Sequence, residues 1–222
     1  MKKVLLFLMF FTVSLSAQTS KAKYWLDPEG KEIKNKYMRL LSEEYPDNSM
    51  AFRKTADSGM VYQYNAPKYS TYKVDYTIIK TEIEKITNKT YTDSTIFLIN
   101  FNYLDDTCSD WFSNNLSSEK INDRKTFIEP LKKGIEYKSN VIYLAFFENG
   151  IVLKNKPESK REYFFSDQNN FFRKNLFINA TVCGSFGLIK PNGQTLIRNG
   201  EYRPDSMNEH LKPEIWNLIF QQ

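Results

Sequence analysis

The clearest pattern of apolar and polar positions lies between residues 94 and 110, where a hydrophobic run leads into an acidic turn. The run IFLINFN at 96–102 is almost continuously apolar, which is typical of a strand buried on both faces in a parallel sheet. A second run, NVIYLAFF at 140–147, has the same character. Because a helical segment is predicted between them, we expect the two strands to be parallel and joined by a right-handed crossover.

The connecting helix is predicted to begin near Cys108 and to reach about Lys133, with an interruption or kink at Pro130. Thr107 and Asp110 have the spacing of a capping box in which Asp replaces the usual Glu or Gln. A thiol at that helix N-terminus would lie at the positive end of the helix dipole, which lowers the thiol pKa.

Downstream of the second strand, the periodicity predicts a helix of about ten residues around 171–177 and then a hairpin. The hairpin strands at 185–189 and 195–197 flank Pro191-Asn192-Gly193, which is a strong turn signal. The chain closes with a helix over roughly 205–220 that is bent at Pro213 or begins there. The order β-α-β-α-β-β-α predicts an α/β fold with a mixed sheet and helices on both faces.

The segment 18–91 is polar and rich in turn residues. Its pattern predicts a short hairpin over 24–33, a helix stopped by Pro46, strands near 59–64 and 69–76, and a further short helix. No linker-like run of Gly, Ser or Pro separates this segment from the rest of the chain. We therefore interpret 18–91 as an α+β extension packed against a main domain at 92–222.

Residues 1–17 have the pattern of a secretory signal peptide. Lys2 and Lys3 precede an apolar stretch at 4–13, and small residues lead up to a predicted cleavage after Ala17. About 12 apolar residues are too few to span a bilayer. The sequence thus predicts a secreted or periplasmic protein without stable membrane insertion after cleavage.

Charge and motifs exclude several classes of function. The formal net charge of +5 falls to +3 once Lys2 and Lys3 are removed, which is too small to indicate a nucleic-acid partner. The chain has no nucleophile elbow, phosphate-binding loop or HExxH motif. Its only histidine, His210, is expected at the surface. No cofactor or metal is predicted.

An acidic cluster lies in the turn that follows the first apolar strand. It consists of Asp105, Asp106 and Asp110. Carboxylates of this kind bind cations such as Ca²⁺, but the EF-hand pattern is absent here. We therefore favour a solvated turn over a cation site.

The order of elements and two motifs resemble the thioredoxin fold, particularly exported thioredoxin-like proteins of the TlpA and ResA type. LINFNYLDDTC at 98–108 is similar to the first core strand and active-site turn of that family. SFGLIKPNGQTLIRNGEY at 185–202 is similar to its later hairpin, with Gly193 and Gly200 on the two family glycines. The resemblance covers about residue 94 to the C-terminus.

The chain departs from this family at the redox motif. The family pattern is C-x-x-C, whereas the turn here has the single cysteine Cys108. The nearby Asp105 and Asp106 would raise the pKa of that thiol, opposing the helix dipole. Gly184 stands where the family has a cis-proline.

The resemblance implies that Cys183 lies against the turn that carries Cys108. In an oxidising compartment a structural disulfide between them is favoured over a redox pair or two buried thiols, and its loop of some 75 residues would stabilise the fold by about 4 kcal/mol. Other residues implied to border the former substrate groove are Asp105, Asp106, Thr107, Gly184 and Ser185.

Two functions follow from the resemblance. The first is a degenerate thioredoxin-like protein that binds a protein or peptide along the former substrate groove. The alternative is a periplasmic thiol–disulfide oxidoreductase or isomerase that uses Cys108 and Cys183 as its catalytic residues. Fold alone does not distinguish between them.

Overall fold

The strands form sheets of six, three and two strands in the computed structural model, which describes residues 23–57, 59–137 and 140–220. The strands are β1 (Lys23–Leu26), β2 (Asn48–Lys54), β3 (Met60–Pro67), β4 (Tyr69–Lys73), β5 (Ile96–Asn102), β6 (Asn115–Leu116), β7 (Val141–Glu148), β8 (Val152–Leu153), β9 (Phe164–Asp167), β10 (Ser185–Ile189) and β11 (Gln194–Asn199). The helices are α1 (Met38–Glu44), α2 (Tyr76–Thr87), α3 (Ser118–Glu136), α4 (Phe171–Asn175), α5 (Ser206–Glu209) and α6 (Pro213–Phe220), with short 3-10 helices at Asn35–Tyr37 and Asp110–Phe112.

The six-stranded sheet has the order β4-β11-β10-β5-β7-β9. The three strands β5, β7 and β9 are parallel, whereas β10, β11 and β4 pair in antiparallel fashion. The predicted α/β class with a mixed sheet is therefore confirmed. The apolar runs explain why β5 and β7 are central, since Phe97, Leu98 and Ile99 have no solvent exposure.

The predicted hairpin around Pro191-Asn192-Gly193 is confirmed as β10 and β11, which pair in register from Ser185↔Asn199 to Ile189↔Thr195. Gly193 has φ +82°, and a Cβ at this position would lie 2.3 Å from the Val74 carbonyl oxygen. This turn therefore requires glycine both for its backbone conformation and for its close approach to the chain that follows β4.

The smaller sheet has the order β1-β3-β2 and lies within the segment 18–91. The predicted turn between Asp27 and Gly30 forms, but β1 pairs in parallel with β3 instead of forming a regular hairpin with the residues that follow. The edge strand β4, although it comes from the same segment, belongs to the six-stranded sheet.

Strand β2 also contacts the chain that leads to Cys183. The Phe52 amide donates to the Ala180 carbonyl at 2.8 Å, and the Val182 amide donates to the Met50 carbonyl at 3.0 Å. The small sheet is therefore hydrogen-bonded to a segment that joins the main sheet.

The prediction that a helix begins near Cys108 is wrong. Ser109 has an extended backbone, and its hydroxyl accepts a hydrogen bond from the Trp111 amide at 3.3 Å, so the Thr107 side chain caps no helix. After the 3-10 helix the chain pairs as β6 with β8, and α3 begins only at Ser118. The Ser117 hydroxyl caps α3 by accepting from the Lys120 amide at 3.3 Å.

The same predicted helix and two others also differ in extent from their observed forms. Helix α3 continues through Pro130 without interruption, and α4 has five residues where about ten were predicted. The C-terminal helix begins at Pro213, one of the two predicted alternatives, and is preceded by the single turn α5.

The predicted signal peptide at 1–17 lies outside the described residues. Among the residues that are described, no helix combines the length and the apolar character needed to cross a bilayer.

Candidate functional site

Cys108 and Cys183 form a disulfide, as the resemblance implied, with an S–S distance of 1.98 Å and a Cα–Cα distance of 4.9 Å. Both residues are half-buried. Cys108 lies between β5 and the 3-10 helix, and Cys183 lies just before β10. Since β5 and β10 are hydrogen-bonded neighbours, the sheet brings together two cysteines that are 75 residues apart.

Asp106 fixes the backbone on both sides of this disulfide. Its Oδ1 accepts from the amides of Cys108 at 2.9 Å and Cys183 at 3.2 Å, and its Oδ2 accepts from the Gly184 amide at 2.9 Å. Burial raises the pKa of Asp106 to about 6, although the three amide hydrogen bonds favour the ionised form. This carboxylate therefore connects the two turns independently of the sulfur–sulfur bond.

Thr107 and Asp105 join the turn to the small sheet. The Thr107 hydroxyl lies 2.7 Å from the Tyr62 hydroxyl, and Asp105 forms an ion pair with Lys54 at 3.2 Å. The Tyr62 ring stacks on Trp25 with ring centroids 4.4 Å apart. The predicted extension thus contacts the turn directly through β2 and β3, and β1 packs against the contacting Tyr62.

Gly184 and Ser185, two further residues of the predicted groove, are packed inside the protein and are not exposed in a groove. Gly184 has φ +73°, and a Cβ there would lie 2.7 Å from the Phe101 carbonyl oxygen in β5. Ser185 has no solvent exposure, and its hydroxyl accepts from the Tyr103 hydroxyl at 2.9 Å and lies 3.0 Å from that of Thr181. The side chain of Ser185 therefore belongs to a buried network.

An apolar pocket of about 190 Å³ lies beside the disulfide. Two exposed aromatic residues stand at it: Trp111 is 40% exposed and Phe127 is 57% exposed, with their rings edge to face at 5.4 Å. Further lining residues are Asn100, Cys108, Phe112, Arg124, Ile128, Leu131, Tyr143, Cys183, Glu201, Tyr202, Pro204 and Met207.

Arg124 is the main residue of this pocket that the sequence analysis missed. Its Nη1 donates to the Trp111 carbonyl at 2.9 Å and its Nη2 donates to Asn102 Oδ1 at 2.6 Å, whereas its Nε has no acceptor. Within the described chain, no carboxylate lies at ion-pair distance from this guanidinium, and burial lowers the Arg124 pKa. The available signal was an arginine in helical register with Ile121 and Ile128.

The polar floor of the pocket also includes Tyr143 and Tyr202. Asn100 donates to the Tyr202 hydroxyl at 2.7 Å. Burial raises the pKa of Tyr143, and the nearby Asn100 side chain offsets a small part of that rise. Among the described residues, the buried Tyr143 hydroxyl has no hydrogen-bond partner of normal geometry. The pocket therefore combines apolar walls with polar groups that retain unused hydrogen-bonding capacity.

A second, larger cleft of about 780 Å³ shares Cys183, Glu201 and Tyr202 with the apolar pocket. His210 lines this cleft, and its expected position at the surface is wrong, since it is only 8% exposed. Its Nε2 lies 3.0 Å from the Tyr69 hydroxyl and its Nδ1 lies 2.8 Å from the Ser206 carbonyl oxygen. Burial lowers the pKa of His210, so its imidazole is neutral at neutral pH.

Metal binding finds no support in the part of the chain that the structure describes, which contains no group of three or more potential His, Cys, Asp or Glu ligands. Asp106 accepts backbone amides, and Asp105 pairs with Lys54 and accepts from the Asn114 side chain at 2.8 Å. The side chain of Asp110 lies outside the described structure.

Scanning protein-family models and searching the curated proteins produced no match to this chain.

Proposed function

We propose that this chain is an exported, thioredoxin-like module that binds a protein or peptide segment at the surface around its disulfide. The observation that carries the proposal is the apolar pocket beside Cys108–Cys183, with Trp111 and Phe127 exposed beside it. Exposed aromatic residues beside a pocket of this kind are typical of binding surfaces, where one inserted side chain supplies much of the affinity. A volume of about 190 Å³ suits a single apolar side chain of a partner better than a larger ligand.

Three features support the absence of thiol turnover in this proposal. The turn has one cysteine where a dithiol motif would have two, and the described residues contain no free cysteine. Asp106 also hydrogen-bonds the backbone of both half-cystines, which favours a fixed pair of turns. The predicted signal peptide and the disulfide together support an oxidising location outside the cytoplasm.

The test uses the mature chain 18–222 and an array of extended peptides that each contain one central Phe, Trp or Leu, followed by fluorescence-anisotropy titration. We expect a subset of the peptides to bind. The double variant Trp111→Ala/Phe127→Ala should weaken that binding at least tenfold, because it removes two exposed aromatic groups from the pocket. The control is Tyr137→Ala, which removes an aromatic group that is 92% exposed at the far end of α3.

Two results would contradict the proposal. One is peptide binding that is equally strong in the wild-type chain and in the Trp111→Ala/Phe127→Ala variant. The other is the absence of binding by any peptide in the array to a folded, disulfide-bonded chain.

A second candidate is a thiol–disulfide oxidoreductase, which is favoured by the pKa of about 6 for Asp106 next to both cysteines. In its protonated form, a carboxyl group of that pKa can donate its proton to the thiolate that leaves when an incoming thiolate attacks the disulfide and forms the mixed disulfide. The reduction potential separates the two functions: a value above about −230 mV indicates a labile bond, and one below about −300 mV indicates a structural bond.

A further inference from the structure

The larger cleft beside the disulfide is lined by more cationic than anionic side chains. Its lining contains four cationic side chains and one carboxylate, so that its formal charge is +3 with His210 neutral. The cations are Arg39, Lys68, Arg198 and Arg203, and the carboxylate is Glu201. Two carboxylates just outside the lining, Glu43 and Asp205, pair with Arg39 and Arg203 and reduce the net charge of the cleft and its immediate partners to +1.

Two of these cations have no carboxylate partner among the described residues. Lys68 donates its Nζ to the Pro46 carbonyl at 2.6 Å. Arg198 donates to the carbonyl oxygens of Asn199 and of Glu201, the latter at 2.9 Å, and to the Ser49 hydroxyl at 3.4 Å. These neutral acceptors orient the two side chains without cancelling their charge, so the cleft retains a positive potential that favours an anionic ligand.

The other two cations are already paired. Arg203 forms an ion pair with Asp205 at 2.6 Å, and Arg39 lies 3.8 Å from Glu43. Lys68 and Arg198 are thus the groups available to a ligand. Both are half-buried, which makes their electrostatic interactions less screened than those of fully exposed charges.

We infer that this cleft binds an acidic stretch of the same partner segment whose apolar side chain enters the pocket beside the disulfide. This inference rests on the proposed peptide-binding function. Cys183, Glu201 and Tyr202 line both spaces, so one extended segment crossing the disulfide can occupy them together. The volume of about 780 Å³ accommodates several residues, and the rings of Tyr64 and Tyr69 provide apolar contact for their side-chain stems.

The test compares two fluorescein-labelled peptides that share one Phe and differ only in a following run of Glu or of Gln. We expect the Glu peptide to bind the mature chain about tenfold more tightly than the Gln peptide at low salt, and we expect this preference to shrink at high salt. The variant Lys68→Gln/Arg198→Gln should abolish the preference, whereas Lys174→Gln, which removes an exposed charge on α4, should retain it.

If the loss of Arg198 unfolds the chain, the single variant Lys68→Gln is used instead. It should lower the ratio of Glu-peptide affinity to Gln-peptide affinity about threefold. Equal affinity for the two peptides, or a preference unchanged in a folded Lys68→Gln/Arg198→Gln variant, would overturn the inference. Displacement of the Glu peptide by an equal concentration of oligothymidylate would also overturn it, in favour of a nucleic-acid ligand.

Failure of this inference is distinguishable from failure of the proposed function. If the Gln peptide binds in a manner that depends on Trp111 and Phe127 but the Glu peptide binds no better, only the assignment of the basic cleft is wrong. If neither peptide binds, or if binding is indifferent to Trp111 and Phe127, the peptide-binding function is wrong as well.

Discussion

At the scale of single residues, the strictest steric requirement of the site falls on Gly184. It follows Cys183, and both have positive φ angles, +73° for Gly184 and +69° for Cys183. The atom that a Cβ at Gly184 would meet is the Phe101 carbonyl oxygen, which belongs to the central strand β5. This contact sets how closely the Cys183 turn approaches the turn that carries Cys108.

Replacing Gly184 by Ala should lower the free energy of unfolding by about 2–3 kcal/mol, because the new methyl group meets rigid backbone and φ is unfavourable. The matched control is Gly134→Ala in α3, where a Cβ meets nothing within 4 Å. The control should raise stability by about 0.5–1 kcal/mol through helix propensity. Chemical denaturation of both disulfide-bonded variants measures the difference, and equal effects would refute the close-contact argument.

Asp106 should make stability depend on pH. Its pKa of about 6 in the folded chain lies above the ordinary 3.8, so the native state binds this proton more tightly than the unfolded state. The resulting stabilisation is complete below about pH 4 and is lost as pH rises through about 6, a change on the order of 3 kcal/mol.

Denaturation curves recorded between these pH values test this dependence. The variant Asp106→Asn should remove the part of the pH dependence of the unfolding free energy that comes from this carboxyl group. It should also be less stable than the wild type at neutral pH, because its amide cannot accept all three backbone hydrogen bonds. Asp123→Asn, which removes an exposed carboxylate, should keep the wild-type slope. If the unfolding free energy depends on pH identically in all three chains, the pKa of Asp106 is not raised by folding and this prediction is wrong.

At the scale of elements, the contact between β3 and the cysteine turn links the small sheet to the site. Tyr62 is 2% exposed, and its hydroxyl meets that of Thr107 across 45 residues of sequence. The variants Tyr62→Phe and Thr107→Val should each cost about 1 kcal/mol. The double variant should cost clearly less than the sum, because both changes remove the same hydrogen bond. Additive losses in a double-mutant cycle would exclude this coupling.

The elements that the sequence predicts correctly are those specified by local pattern, and the predicted element that fails depends on this long-range contact. Strands β5 and β7 are visible as apolar runs because burial on both faces leaves no polar positions, and the Gly193 turn has a local signature. The prediction that a helix starts near Cys108 is wrong because the Thr107 hydroxyl hydrogen-bonds to Tyr62 and does not cap a helix. The local sequence around Thr107 gives no sign of this contact, because the two residues are 45 positions apart. The effective start signal was Ser117, ten residues further on.

The sequence predicts one part of the candidate site, the cysteine pairing, and does not predict the buried polar residues or the basic cleft. The cysteine pairing was predictable because a resemblance to a known fold supplied the long-range proximity that spacing lacks. Arg124 was not identified and His210 was wrongly expected at the surface, because both are residue types whose burial depends on tertiary packing. The basic cleft was hidden for the same reason, since Lys68 and Arg198 come from sequentially distant parts of the chain.

At the scale of the whole molecule, one hydrophobic core includes residues of both larger sheets. Phe52 and Met60 of the small sheet belong to the same buried cluster as Phe97 and Phe146 of the main sheet. The disulfide lies close to this junction, since the segment 180–182 hydrogen-bonds to β2 immediately before Cys183. Its loss therefore affects the stability of the whole chain.

The variant Cys108→Ala/Cys183→Ala should lower the free energy of unfolding by about 4 kcal/mol, because the disulfide closes a loop of 75 residues. We expect the native arrangement to persist, since Asp106 still hydrogen-bonds the backbone on both sides of the missing bond. Peptide affinity measured below the melting temperature should then stay within about threefold of wild type, since the disulfide acts here as a brace for the pocket. A folded variant that has lost peptide binding completely would instead make the sulfur atoms part of the binding or redox chemistry, and would favour the oxidoreductase.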